Sequence, residues 1–140
     1  MAATDMTEFE REAFLADLHV GILSIAREAK GPLSLPIWYQ YRDGDVTISM
    51  SGSSAKAALL TRHGRATLTA QVETPPYRYV SVEGPVTIEP HTGDNREMAT
   101  RYLGAEMGAW YADNNPTTAD SVIARLRPEN WLTCDYGKVM

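Results

Sequence analysis

Apolar and polar residues alternate with a period of two in short runs along the chain, which is typical of β-strands with one buried face. The pattern predicts strands over residues 20–25, 33–41, 46–50, 66–72, 77–86, 122–127 and 131–136. Asp43-Gly44 separates the second run from the third and predicts a tight hairpin between them. Pro36 cannot donate a backbone hydrogen bond, so we expect an edge strand or a bulge at that position.

Three other segments carry helix signals. Thr7-x-x-Glu10 is a capping box in front of apolar residues at helical spacing, which predicts a first helix ending near His19. A short helix is predicted over residues 55–60, closed by His63-Gly64, and a third over residues 92–103.

Residues 108–118 are rich in Asn, Asp, Pro and Thr, and we expect a loop there. The helices do not alternate regularly with the strands, as a parallel sheet would require. We therefore predict a mainly β fold, an antiparallel barrel with appended helices, as one domain over residues 1–140.

Charge and composition exclude several classes of function. A net charge of −5 argues against a surface that neutralises nucleic-acid phosphates. No apolar run approaches the roughly 18 residues of a membrane span, and the first residues are acidic, so we expect no membrane contact and a cytoplasmic location. Cys134 stands alone in an apolar run and is expected to be a buried thiol. The three histidines lack the spacing of a metal site, and we expect none.

The segment from Ser51 to Lys56 has the residues of an anion site. A strand runs into a hydroxyl-rich loop and then into a helix with a lysine in its first turn. Unpaired N–H groups at a helix N-terminus, together with Ser51, Ser53, Ser54 and the Lys56 ammonium, favour a phosphate or a carboxylate. The alternative is structural: Ser53 or Ser54 caps the helix and Lys56 lies in water.

Aromatic residues provide flat surfaces on which a planar ring can stack. The candidates, each of which could instead belong to the core or to an interface, are Trp38, Tyr39, Tyr77, Tyr79 and Trp110. Trp131, in the last predicted strand, is interpreted as a core residue.

The order of these segments resembles the pyridoxamine-phosphate-oxidase-like split barrels and is most similar to the flavin and deazaflavin oxidoreductases of actinobacteria. Besides the first helix and the strands, the resemblance rests on the turn from Ser51 to Lys56, on Leu60 and Arg65, and on Glu83-Gly84. It implies an antiparallel split β-barrel of the FMN-binding type and a homodimer with the cofactor ring at its interface. Many relatives carry an arginine at the position of Ser54.

The resemblance further implies an oxidoreductase that uses the deazaflavin coenzyme F420, or alternatively FMN, for hydride transfer to a small, planar, unsaturated substrate. The residues that would bind the cofactor are Ile37, Trp38, Tyr39, Ser51, Ser53, Ser54 and Lys56, with Lys56 on the phosphate. The substrate would lie near Tyr77, Tyr79 and Trp110. The alternative is a non-catalytic protein of the same fold that binds a cofactor, a tetrapyrrole or a lipid.

Overall fold

The computed structural model describes residues 2–140, which form eight β-strands and four α-helices. The strands are β1 (Gly21–Ile25), β2 (Leu33–Ile37), β3 (Gln40–Arg42), β4 (Asp45–Ser51), β5 (Arg65–Val72), β6 (Arg78–Pro90), β7 (Ser121–Leu126) and β8 (Asn130–Asp135). The helices are α1 (Glu8–Ala16), α2 (Ala55–His63), α3 (Arg96–Leu103) and α4 (Ala105–Asn114), and a 3-10 turn (Tyr136–Val139) follows β8. No helix within residues 2–140 has the length and apolar composition that a membrane crossing requires.

The strands form one curled antiparallel sheet in the order β2-β1-β5-β6-β7-β4-β3, with β8 on β6. The first half of β6 pairs with β5 and β8, and its second half pairs with β7. Gly84 lies at this transition, where a Cβ atom would stand 1.9 Å from the Arg127 carbonyl oxygen. Only glycine lets the two backbones approach so closely, and the sheet divides at this point. The predicted antiparallel split barrel is confirmed.

The hydrophobic core lies inside the curled sheet, beneath α1 and α2. Leu15 of α1 and Leu60 of α2 meet sheet residues such as Leu23, Leu68 and Val82, and all five are at most 2% exposed. Burying each such side chain stabilises the fold by about 1.5 to 3 kcal/mol. The predicted buried position of Cys134 is confirmed.

The start of α1 and the end of α2, where the sequence carries capping signals, form as predicted. The Thr7 hydroxyl accepts from the Glu10 N–H at 3.2 Å, and the Glu10 carboxylate accepts from the Thr7 N–H at 2.8 Å. Gly64 ends α2 in the left-handed conformation, with φ of 69°. The first helix ends at Ala16 and not near His19.

The predicted strand over residues 33–41 is wrong in one respect, because it is two strands. β2 pairs with β1, at the edge of the sheet as Pro36 requires, and only β3 forms the hairpin with β4. The break falls at Trp38 and Tyr39. The Tyr39 N–H bonds to the Tyr102 hydroxyl at 3.1 Å and not to a neighbouring strand, so long-range packing interrupts the alternation there.

The predicted loop over residues 108–118 is wrong for residues 108–114, because α4 continues to Asn114, and only residues 115–118 form a loop. Gly108 packs on Thr100 of α3 so closely that a Cβ atom would stand 2.7 Å from its backbone. Asn114 and Asn115, which indicated a loop, donate to the carbonyls of Trp110 and Tyr111 at the end of the helix. Tertiary packing therefore overrides the weak helix propensity of the segment.

Residues 91–120, which contain α3 and α4, form an excursion between two paired strands. Pro90 at the end of β6 stands opposite Val122 of β7, and the His91 N–H donates to the Ser121 carbonyl at 2.9 Å. The chain thus leaves the sheet and returns to it at neighbouring positions. The α3–α4 hairpin covers one side of the cleft described next.

Candidate functional site

A cleft of about 210 Å³ opens between the sheet, α2 and the α3–α4 hairpin. The sheet supplies residues at the end of β2 and in the middle of β4, while α2 supplies its first turn. The residues that line the cleft are Ile37, Trp38, Ile48, Ser49, Lys56, Asn95, Met98 and Tyr111. Three residues predicted to bind a cofactor, Ile37, Trp38 and Lys56, therefore meet in one place.

One wall of the cleft is an aromatic stack. The Trp38 ring lies parallel to Tyr102, with 5.0 Å between centroids and 4° between planes, and Tyr111 tilts against it at 5.3 Å. The Tyr102 hydroxyl donates to the His19 carbonyl at 2.6 Å and accepts from the Tyr39 N–H. The stack is thus fixed to the backbone at His19 and Tyr39 and offers a rigid, flat surface.

Lys56 is a cation without a counter-charge. Its side chain lines the cleft from the first turn of α2, and its ammonium makes no ion pair or hydrogen bond within residues 2–140. The first turn of α2 carries no acidic residue. A cation at that end of a helix opposes the helix dipole, so this position favours an anionic ligand.

The three serines of the predicted anion site have different roles. Ser54 caps α2, because its hydroxyl accepts from the Ala57 N–H at 3.2 Å and donates to the Ser51 carbonyl at 2.6 Å. The Ser53 hydroxyl and N–H donate to the Asp120 carboxylate at 2.8 and 3.3 Å. Ser54 is thus a helix cap, as the structural alternative predicts. The Ser53 hydroxyl is already bound to the Asp120 carboxylate of the same chain. The Ser51 hydroxyl has no partner among residues 2–140.

Asn95 forms a polar part of the opposite helical wall. Its side-chain oxygen accepts from the Ser49 hydroxyl at 3.1 Å and contacts His91 Nε2 at 3.0 Å. The sequence did not predict the other five lining residues, Ile48, Ser49, Asn95, Met98 and Tyr111. The only signal for any of them is the position of Ser49 in a strand that leads directly to Ser51, since the α3 and α4 residues carry no local motif.

Tyr39 is the one predicted cofactor residue that the structure places in the core. Its side chain is fully buried, and its hydroxyl donates to the Leu15 carbonyl at 2.6 Å. Burial raises the pKa of this hydroxyl well above its usual range. The Tyr39 side chain therefore does not line the cleft.

The predicted substrate residues also lie outside the cleft of a single chain. Tyr77 precedes β6 and Tyr79 lies near its start, opposite Gln71 and Cys134. Trp110 projects from α4 with 61% of its surface exposed, next to Tyr111. Among residues 2–140, no cluster of three or more His, Cys, Asp or Glu side chains is placed to hold a metal ion.

Comparison with known proteins gives the family. The sequence model of the family described as pyridoxamine 5'-phosphate oxidase matches residues 8–135. The chain belongs to this family. The resemblance based on the turn from Ser51 to Lys56 and on Glu83-Gly84 is thus confirmed, and the match to the oxidase family extends from α1 to the end of β8. No curated protein matches the sequence.

Solved structures of the same fold include a conserved hypothetical protein from Mycobacterium tuberculosis, 22% identical, with a TM-score of 0.80 over 99% of this chain and 91% of that one. An F420 reductase is 21% identical, with a TM-score of 0.62 over 86% and 94%. An FAD and heme binding protein from Mycobacterium smegmatis is 12% identical, with a TM-score of 0.70 over 96% and 73%. At these sequence identities, the comparison shows that the three proteins share the fold of this chain.

Proposed function

We propose that this protein is an oxidoreductase that binds F420, or alternatively FMN, in the cleft and transfers hydride to a small, planar, unsaturated substrate. The observation that carries the proposal is the Lys56 ammonium, which faces the same cleft as the flat surface of Trp38 and has no partner among residues 2–140. The F420 reductase and the FAD and heme binding protein of the same fold support it.

The residues of the cleft fit the parts of such a cofactor. Lys56 would hold the phosphate through charge-assisted hydrogen bonds, and the Ser51 hydroxyl, which lies at the end of β4 and outside the cleft lining, would be a second donor. Ile37 and Trp38 would support one face of the ring, and the apolar side chains of Ile48 and Met98 would keep water from it. When bound, a flavin or deazaflavin supplies the hydride chemistry, so the protein need not provide a catalytic acid or base.

A single chain offers too small a site. Its cleft of about 210 Å³ falls below the roughly 300 to 1,000 Å³ that ligand pockets usually enclose. We therefore place the rest of the site in a second copy of the chain. Tyr77, Tyr79 and Trp110 of that copy would approach the open side of the ring and contact the substrate.

One sheet face is suited to such a homodimer. Ile22, Thr69, Ser81 and Leu132 stand in one row across β1, β5, β6 and β8. Ile22 and Leu132 expose 36% and 62% of their surface, and the residues between them are short, so the face is flat and partly apolar. Light scattering should give twice the chain mass of 15.5 kDa, and a monomer at working concentration would contradict the shared site.

Titration with F420, FMN and haemin tests the function. We expect saturable quenching of F420 or FMN fluorescence with one cofactor per chain, and weaker binding by Lys56→Ala. If both cofactors fail to bind below about millimolar concentration, a free energy near −4 kcal/mol, the oxidoreductase proposal fails. Binding of haemin alone would favour the alternative, a non-catalytic protein that carries a tetrapyrrole. The cytoplasmic location and the lack of nucleic-acid contact stay predictions from the sequence.

A further inference from the structure

Asn95 stands at the N-cap of α3 but does not cap it. Asparagine is among the preferred N-cap residues because its side-chain oxygen accepts from the N–H groups of the first turn. No such bond forms here, and the Arg96 N–H instead donates to the Asp94 carboxylate at 3.0 Å. The side chain of Asn95 therefore points away from the first turn of α3 and lines the cleft.

The hydrogen bonds around Asn95 determine which way its amide points. Its oxygen has only lone pairs, so the Ser49 hydroxyl and His91 Nε2 must both donate to it, at 3.1 and 3.0 Å. Its nitrogen donates to the Asn115 carbonyl at 3.4 Å. The reverse orientation would set the amide oxygen against that carbonyl oxygen. The Asn115 carbonyl thus selects this orientation, and the Ser49 hydroxyl and His91 Nε2 fit it as donors.

This orientation leaves a donor available to a ligand. The amide nitrogen carries two hydrogens, and among residues 2–140 only the Asn115 carbonyl, at a long distance, accepts from it. The second hydrogen of this nitrogen has no acceptor among residues 2–140 and can therefore be donated to a ligand. The acceptor must be compatible with the flat surface of Trp38 and the apolar side chain of Met98.

We infer that Asn95 is a ligand-binding residue of the cleft, which donates a hydrogen bond from Nδ2 to a carbonyl oxygen on the edge of a bound planar ring. Ser49 and His91 are positioning residues that hold the Asn95 oxygen and so present its nitrogen. The inference rests on the proposed function and deepens it, because Lys56 recognises charge whereas Asn95 recognises the carbonyl edge of a neutral ring.

Riboflavin and FMN together separate these roles, because they share the ring and differ in the phosphate. In Asn95→Asp a carboxylate oxygen replaces the donor, so we expect affinity for both compounds to fall by roughly ten- to fifty-fold, the range for a lost hydrogen bond and a new repulsion. The matched control is Asn114→Asp on the same hairpin, whose side chain contacts only the Trp110 carbonyl. Lys56→Ala should weaken FMN and leave riboflavin unchanged.

The positioning role of His91 has its own readout. His91→Ala should weaken riboflavin several-fold, while His91→Gln, whose amide can still donate to the Asn95 oxygen, should restore most of the affinity. Equal affinities of the alanine and glutamine variants would overturn that role. Asn95→Ser replaces Asn95→Asp if the latter does not fold, and it should weaken both compounds.

The outcomes distinguish this inference from the proposed function. If the unaltered protein binds FMN and riboflavin and the Asn95 variants bind them equally well, the donor role is wrong and the proposed function stands. If the unaltered protein binds no flavin or deazaflavin, the proposed function fails and the inference fails with it. Weakening of FMN alone by Asn95→Asp would also overturn the inference, because it would indicate repulsion of the phosphate.

Discussion

The two sides of the cleft are built in different ways. The α2 side is a continuous segment from Ser51 to Lys56, where the Ser54 cap joins residues only three positions apart. The α3–α4 side depends on distant contacts, such as the bond from Ser49 to Asn95 across 46 positions and that from Tyr39 to Tyr102 across 63. The side that would hold an anion is therefore set mainly by local chemistry, to which Asp120 adds a distant contact with Ser53, and the side that would hold a ring is set by tertiary packing.

Because of this difference, substitutions can disturb one side of the cleft and leave the other side formed. Local caps persist when distant packing is lost, because they need only the neighbouring residues. The α3–α4 hairpin, in contrast, keeps its shape through the close contact of Gly108 with Thr100, and its place on the barrel through distant contacts such as the stack of Tyr102 on Trp38. Variants that remove either feature should abolish ring binding while the α2 side remains formed.

The largest effect is expected from Gly108→Leu. A Cβ atom at this position would stand 2.7 Å from the Thr100 backbone, so the hairpin must move. We expect the free energy of unfolding to fall by about 3 kcal/mol, as for severe overpacking, and riboflavin binding to be lost. Urea denaturation measures the first effect and fluorescence titration the second.

The control for this variant is Gly31→Leu, where a Cβ atom would meet nothing within 4 Å. It should lie within about 0.5 kcal/mol of the unaltered protein. If both leucine variants were equally stable, the contact between α3 and α4 would not determine the position of the hairpin.

Trp38→Ala should have the next largest effect. It removes the ring that lies 5.0 Å from Tyr102 and leaves a gap in the cleft wall, so we expect about 2 to 3 kcal/mol of stability to be lost, together with riboflavin affinity. Trp110→Ala removes an indole that is 61% exposed and should change the stability of a single chain by less than about 0.5 kcal/mol. Equal losses in thermal denaturation would contradict the comparison.

Lys56→Ala affects affinity and not the fold. Removal of a charge-assisted hydrogen bond costs about 2 kcal/mol, so we expect FMN to bind roughly thirty-fold more weakly. Stability without cofactor should stay the same or rise slightly, because a cation in the first helical turn is unfavourable. Lys30→Ala, on the exposed β1–β2 connection, is the control for loss of one positive charge. A lower melting temperature with unchanged affinity would make Lys56 a structural residue.

Asp120→Asn should have the smallest effect on FMN affinity, and it should raise the affinity where the preceding variants lower it. The asparagine oxygen can still accept from the Ser53 hydroxyl, while the negative charge beside the start of α2 is removed. An anion at a helix N-terminus contributes about 0.3 to 1 kcal/mol, so FMN should bind about threefold more tightly and riboflavin equally well. Weaker FMN binding in the same titration would show that the Asp120 charge is needed to shape the loop.

The features that could be predicted from sequence are those that neighbouring residues decide. The Thr7 capping box, the end of α2 at Gly64 and the place of Lys56 in the first turn of α2 all follow from residues within a few positions. The strand break at Tyr39 could not be foreseen, because it depends on a hydroxyl 63 positions away. Asn95 was missed for the same reason.

The α4 helix shows most clearly what the sequence alone cannot predict. Its Gly108 and Asn114, and Asn115 just after it, are each typical of loops, and they outweigh the helix-forming residues Ala105, Glu106 and Met107 at its start. The local window does not contain Thr100 on the preceding helix, on which position 108 packs so closely that only glycine fits. A pattern read in one segment at a time does not contain that information.

The excursion between β6 and β7 has a consequence for how proteins of this fold can diversify. Because Pro90 and Val122 face each other in the sheet, residues 91–120 are attached to the barrel at two adjacent points. One continuous piece of chain thus carries much of the wall that would contact a ring, including Asn95, Met98 and Tyr111, while Lys56 belongs to α2. Replacing this piece would exchange one ligand preference for another and leave the barrel ladders intact, so the hairpin is a natural unit for grafting and for evolutionary change.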